Sequence, residues 1–70
     1  MKIKKGMIVK VSETRWGDYI GMAIEDFDTE DEWYPIQVHQ DKPVYGISKV
    51  WKNGDKIPCR NGLNTIEVNK

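Results

Sequence analysis

The sequence predicts an all-β fold, a small antiparallel barrel of five to six short strands. Three observations carry this. Apolar and polar residues alternate in several short runs, the period-two pattern of strands with one buried face. Turn residues recur at short intervals, among them two Asn-Gly pairs, Asn53-Gly54 and Asn61-Gly62. No stretch sustains a helical period. A helix over residues 20–32 is the one alternative, and Gly21 and the clean alternation weigh against it.

The strands follow in order. Gly6 opens the first, in which Met7, Val9 and Val11 alternate with Ile8, Lys10 and Ser12. Arg15-Trp16-Gly17-Asp18 is a turn or longer loop. The second strand is predicted from Tyr19 to Phe27, with Ile20, Met22 and Ile24 toward the core and Gly21 and Ala23 opposite. Residues 25–32 hold six acids and no base, a density of like charge that favours a solvated loop. Trp33 to Gln40 is the most strand-like run, with Tyr34, Ile36 and Val38 on one face and Trp33, Pro35, Gln37 and His39 on the other. Asp41-Lys42-Pro43 turns the chain. Val44 to Lys52 is predicted as one strand, with Tyr45, Ile47, Lys49 and Trp51 on a shared face. The two Asn-Gly pairs, expected as type I′ turns, bracket a short segment. Its Pro58 places it at a sheet edge or in a bulge. Asn64 to Val68 is the last strand, with Ile66 and Val68 inward.

Composition bounds the function. Seventy residues make one domain, 1–70, with a stability of the order of 5 kcal/mol. Eleven basic residues balance eleven acids, so there is no net attraction to nucleic acid or membrane. One cysteine, Cys59, excludes an internal disulfide and fits a reducing, cytoplasmic setting. One Cys and one His fall short of a zinc site. No window is long and apolar enough to cross a membrane, and none has signal-peptide character.

The order of features resembles the SH3-like barrel superfamily, in the broad sense that includes Tudor and KOW domains and the ferredoxin-side subunit of photosystem I. The similar elements are Lys5-Gly6-Met7-Ile8-Val9-Lys10-Val11, Gly21-Met22-Ala23-Ile24 after a loop, and Trp33-Tyr34-Pro35-Ile36-Gln37-Val38. They span nearly the whole chain. The resemblance implies a small antiparallel barrel, carried by strand-and-turn patterns rather than by catalytic motifs. The Ala-Leu-Tyr-Asp-Tyr run and Trp-Trp pair of peptide-binding SH3 domains are missing, so no functional residue is carried over.

Four constellations could carry chemistry. Trp16, Tyr19, Trp33 and Trp51 are rings that core packing explains least well; together and exposed they would form an amphipathic patch. Tyr34 and Tyr45 share faces with aliphatic residues and are expected in the core. The acidic run, with Asp26, Asp28, Glu30, Asp31 and Glu32, would steer a basic partner. Asp26, Asp28 and Glu30 have the spacing of a calcium loop, but Asp31 stands where such a loop needs Gly. Lys49, Trp51, Lys52, Lys56 and Arg60 could track a phosphate backbone and stack a base. For catalysis there are only His39, Cys59, Ser12 and Ser48, in no recognisable arrangement. The sequence therefore predicts a non-catalytic binding module, monomeric or weakly dimeric. It would need no cofactor or metal and would take a protein with a basic surface through Trp16, Tyr19, Trp33, Trp51 and the acidic loop. RNA or DNA binding through the basic set is the alternative.

Overall fold

The computed structural model describes residues 1–68 and, over them, consists of strands and turns with no helix. The strands are β1 (Lys2–Ile3), β2 (Ile8–Glu13), β3 (Gly17–Ala23), β4 (Phe27–Asp28), β5 (Trp33–Val38), β6 (Val44–Tyr45), β7 (Val50–Trp51), β8 (Lys56–Arg60) and β9 (Asn64–Val68). Five of them form one antiparallel sheet in the order β8-β5-β3-β2-β9. Two small pairs, β1 with β4 and β6 with β7, complete the fold.

The sheet curls because of how its edges are joined. β8 and β9 lie at opposite edges, yet only Asn61, Gly62 and Leu63 separate them. In a flat five-stranded sheet those edges would stand about 19 Å apart. The connection reaches at most about 14 Å when fully extended. It is not extended: Leu63 N–H donates to Arg60 O at 3.1 Å, a tight turn. Arg60 N–H also donates to Asn64 Oδ1 at 2.7 Å. The right-handed twist of strands supplies the curvature, and the result is a barrel-like wall around one apolar cluster. That cluster holds Ile3, Val9, Val11, Tyr19, Ala23, Phe27, Tyr34, Ile36, Val38, Val44, Ile57, Cys59 and Ile66.

β2, β5 and β9 present the faces their alternation predicts. β3 presents the reverse. Tyr19, Gly21 and Ala23 point inward, while Ile20, Met22 and Ile24 are half-buried on the other side. Register explains it. Val11 stands opposite Tyr19 and Val9 opposite Gly21, and directly opposed residues share a face. Gly21 faces the core because Ile36 needs the room: a Cβ there would come 2.5 Å from Ile36 Cγ2. β3 also stops at Ala23, and Phe27 begins a new strand against β1.

Residues 44–52 are not one strand. Gly46 N–H donates to Lys49 O at 2.8 Å, and the chain doubles back as the β6–β7 hairpin. Val44 therefore faces the core, opposite Trp51, and Tyr45 faces solvent opposite Val50. Tyr45 is 69 % exposed, which corrects its expected core role. The Asn-Gly turns differ too. Gly54 and Gly62 have φ of 89° and 97°, and among the described residues no residue type but glycine has positive φ, which excludes type I′. Lys52 O accepts from Asp55 N–H and Arg60 O from Leu63 N–H, so the glycine stands third, as in type II turns. Pro58 does lie on an edge strand, β8, directly opposite Pro35 of β5.

Gly21→Ala should destabilise the fold by about 1–3 kcal/mol through overpacking. Urea denaturation would measure this, and the cost should shrink when the same change is made in an Ile36→Ala background.

Candidate functional site

The acidic run is pinned rather than loose. β4 lies within it, with Phe27 against Ile3 in register and its ring 5.1 Å from that of Tyr34. Lys5 N–H donates to Asp26 Oδ1 at 2.7 Å, Glu30 N–H to Asp28 Oδ1 at 3.0 Å, and Asp28 N–H to Asp31 Oδ2 at 2.9 Å. The Tyr34 hydroxyl donates to Thr29 O, and Asn61 N–H to Glu32 O at 3.0 Å. The Glu30 N–H, aided by the N-terminal ammonium against a smaller desolvation effect, holds the Asp28 carboxyl below its ordinary range. Asp26 and Asp28, two of the three acids of the calcium-like spacing, thus accept from backbone N–H groups.

Three of the six acids also have exposed cations nearby: Lys4 at 3.8 Å from Asp26, the N-terminus at 3.5 Å from Asp28, and Arg60 at 3.5 Å from Glu32. Among the described residues, Glu25, Glu30 and Asp31 have none. The alternation of β5 sets Trp33 and Pro35 outward beside this loop while Tyr34 turns in. Trp33 is 56 % exposed, with the Arg60 guanidinium 5.2 Å from its ring centre. Glu25, Asp26, Phe27, Asp31, Trp33, Tyr34 and Pro35 line a groove of about 320 Å³. It combines an aromatic wall with uncompensated carboxylates.

The remaining predicted aromatic residues do not join it. Tyr19 is in the core, its Oη 2.8 Å from Cys59 Sγ. Trp16 is half-buried and packed on the core, with Arg15 stacked at 4.2 Å and its indole N–H enclosed without a partner. Trp51 is half-buried behind the core-facing side of its hairpin, with Lys49 Nζ 4.3 Å from its ring centre. A four-ring exposed patch therefore does not form. A barrel this small needs large rings to fill and cap it, and Tyr19 and Trp16 do so. The basic set also divides. Arg60 sits at the Trp33 end of β8, whereas Lys56 pairs with Gln37 at the other end, near Lys52. His39 is exposed and Cys59 buried.

Sequence reasoning missed Glu13 and Asn64. Both are buried, at opposed positions of β2 and β9. Glu13 accepts from Arg15 N–H at 3.1 Å, Arg15 Nε at 2.9 Å, Arg15 Nη2 at 3.0 Å and Asn64 Nδ2 at 2.6 Å. Its place two residues beyond Val11 was the available signal, since that puts it on the inward face. Burial alone would raise its pKa, but the hydrogen bonds from Arg15 and Asn64 outweigh burial and hold it below the ordinary value. Burial dominates elsewhere in this cluster. It raises the Tyr19 phenol, and it pushes the Cys59 thiol up to about 11 despite the hydrogen bond with Tyr19 that favours the thiolate.

Two outcomes are expected. Because the folded pKa of Glu13 is depressed, its stabilisation is complete above about pH 4.5 and is lost as pH falls through the folded value. Glu13→Gln should flatten that acid limb and cost about 1–3 kcal/mol at neutral pH, read from urea denaturation at several pH values. Cys59 should react with a thiol reagent at mildly alkaline pH about a hundredfold or more slowly in the folded protein than in denaturant.

Comparisons with protein-family models, with curated proteins and with solved structures return no match, so the groove is read from its own chemistry.

Proposed function

We propose that the protein is an SH3-like barrel acting as a non-catalytic binding module for a protein with a basic surface, received in the groove of Trp33 and the acidic loop. The observation that carries this is the placing of an exposed Trp33 and the carboxylates of Glu25, Asp26 and Asp31 around one groove. The strand order β8-β5-β3-β2-β9 and its curl agree with the superfamily resemblance.

The mechanism has two stages. Acids at residues 25–32 attract and orient a cationic segment, an effect screened beyond about 8 Å at physiological ionic strength. Trp33 and Pro35 are then desolvated against the partner, where ring burial and cation–π attraction add affinity. Arg60 already lies by the Trp33 ring, in the place that a partner's lysine or arginine would take. Nucleic-acid binding is the weaker reading. Arg60 is committed to the acidic end, and Lys49 covers the one ring of the basic set.

The test is a titration of isotope-labelled protein with an oligolysine peptide, followed by NMR. Shifts should concentrate at the Trp33 indole N–H and the amides of residues 25–33, and should fade with salt. Trp33→Ala should weaken binding by about tenfold or more, and Asp31→Asn by a few-fold. Absence of shifts at these groups overturns the proposal. Shifts at Lys49, Lys52 and Lys56 on adding a single-stranded oligonucleotide, in their place, would transfer the function to nucleic-acid binding.

A further inference from the structure

The β6–β7 hairpin exposes apolar surface that the fold does not use. Tyr45 and Val50, opposed across the hairpin, are 69 % and 44 % exposed, and Ile47 in its turn is 81 % exposed. Their charged neighbours lean basic. Residues 41–55 contain Lys42, Lys49 and Lys52 against Asp41 and Asp55, and Asp55 accepts from the Lys52 backbone N–H at 2.8 Å. Among the described residues none of these lysines forms an ion pair. The hairpin is thus an apolar finger with three lysines against two acids, Lys49 lying over the Trp51 ring. Its complement is present on the same molecule: a mixed groove of about 320 Å³ walled by Trp33 and Pro35 and rimmed by Glu25, Asp26 and Asp31.

We infer that the groove of one copy receives the β6–β7 hairpin of a second copy, so that the chain associates head to tail. This rests on the groove being a receptor for basic protein surface, and it names the partner. The fold keeps the two faces apart within one molecule. The acidic loop leads into Trp33 at the start of β5, and the hairpin follows Val38 at its end. β5 alone spans about 17 Å. A hairpin packed through Val44 and Trp51 at one end of that strand does not reach a groove at the other. The match is therefore met between copies. Ile47 or Tyr45 stacks on Trp33 and Pro35, while Lys42 and Lys49 approach Glu25 and Asp31. Zero net charge removes the general repulsion that would otherwise keep copies apart. Because the two surfaces differ, the contact is heterologous, and each added copy leaves one groove and one hairpin free.

The experiment is sedimentation velocity over a micromolar-to-millimolar concentration series with three proteins: wild type, the hairpin variant Tyr45→Ser/Ile47→Ser, and the groove variant Glu25→Lys/Asp31→Lys. Circular dichroism confirms that each is folded; all four side chains changed are exposed. Wild type should show a sedimentation coefficient that rises with concentration and falls with added salt. Each variant alone should weaken association by about tenfold or more. Mixed together, they should form a dimer of one of each, because the intact groove of one meets the intact hairpin of the other. A wild type that stays monomeric, association that survives both variants, or a mixture that stays monomeric overturns the inference. So does a monomeric wild type whose hairpin binds anionic vesicles in a Tyr45- and Ile47-dependent way. If wild type is monomeric yet oligolysine still shifts the Trp33 indole, self-association falls and the groove's receptor function stands. If the peptide shifts are also absent, both fall.

Discussion

Three residues between two edge strands shape the whole molecule. With Asn61, Gly62 and Leu63 as the link from β8 to β9, the five-stranded sheet has to roll until the end of β8 stands beside the start of β9. Rolling forces close approaches inside. Gly21 is where β3 has no side chain, and Ile36 occupies that space. The pairing of β2 with β9 sets Glu13 against Asn64, where a carboxylate, an amide and the Arg15 guanidinium satisfy one another in an otherwise apolar wall. A buried carboxylate without those donors would be costly. With them it ties the β2–β3 turn to the start of the last strand.

The same geometry explains what the sequence disclosed. Runs bounded by turn residues and buried on a single face were legible: Val9 and Val11, Tyr34 to Val38, and Ile66 all fall where alternation puts them. β3 was misread because alternation has two solutions. Ile20, Met22 and Ile24 are the more apolar set, but only the register with β2 decides which set faces in. Residues 44–52 were misread because alternation does not distinguish a continuous strand from a hairpin whose turn falls at Gly46. The Asn-Gly pairs marked real turns, yet neither closes a paired hairpin ladder. Asn53-Gly54 joins the separate β6–β7 pair to β8, and Asn61-Gly62 joins the two edges of the main sheet.

The candidate site was legible in part. The acidic run and Trp33 were named from the sequence, and the fold brings them together because the run leads directly into β5. What the sequence could not sort was which rings serve the core. Exposure of an aromatic residue depends on whether a barrel end needs plugging. Trp16, in a turn, is drawn onto the core, while Tyr45, in an apolar run, is left outside. The molecule is consequently polar along β5: acidic where that strand begins and basic beyond its end.

The facing prolines, Pro35 and Pro58, have a consequence for how this sheet can be extended. Pro35 O accepts from Ile24 N–H on the β3 side, so the backbone of Pro35 is turned toward β3 and away from β8. Pro58, opposite it, likewise presents its backbone nitrogen to the free edge, where it has no hydrogen to give. An incoming extended chain that tried to zip onto β8 would meet a missing donor at the middle of a five-residue strand. Cross-β stacking through this edge is hindered by covalent structure rather than by charge.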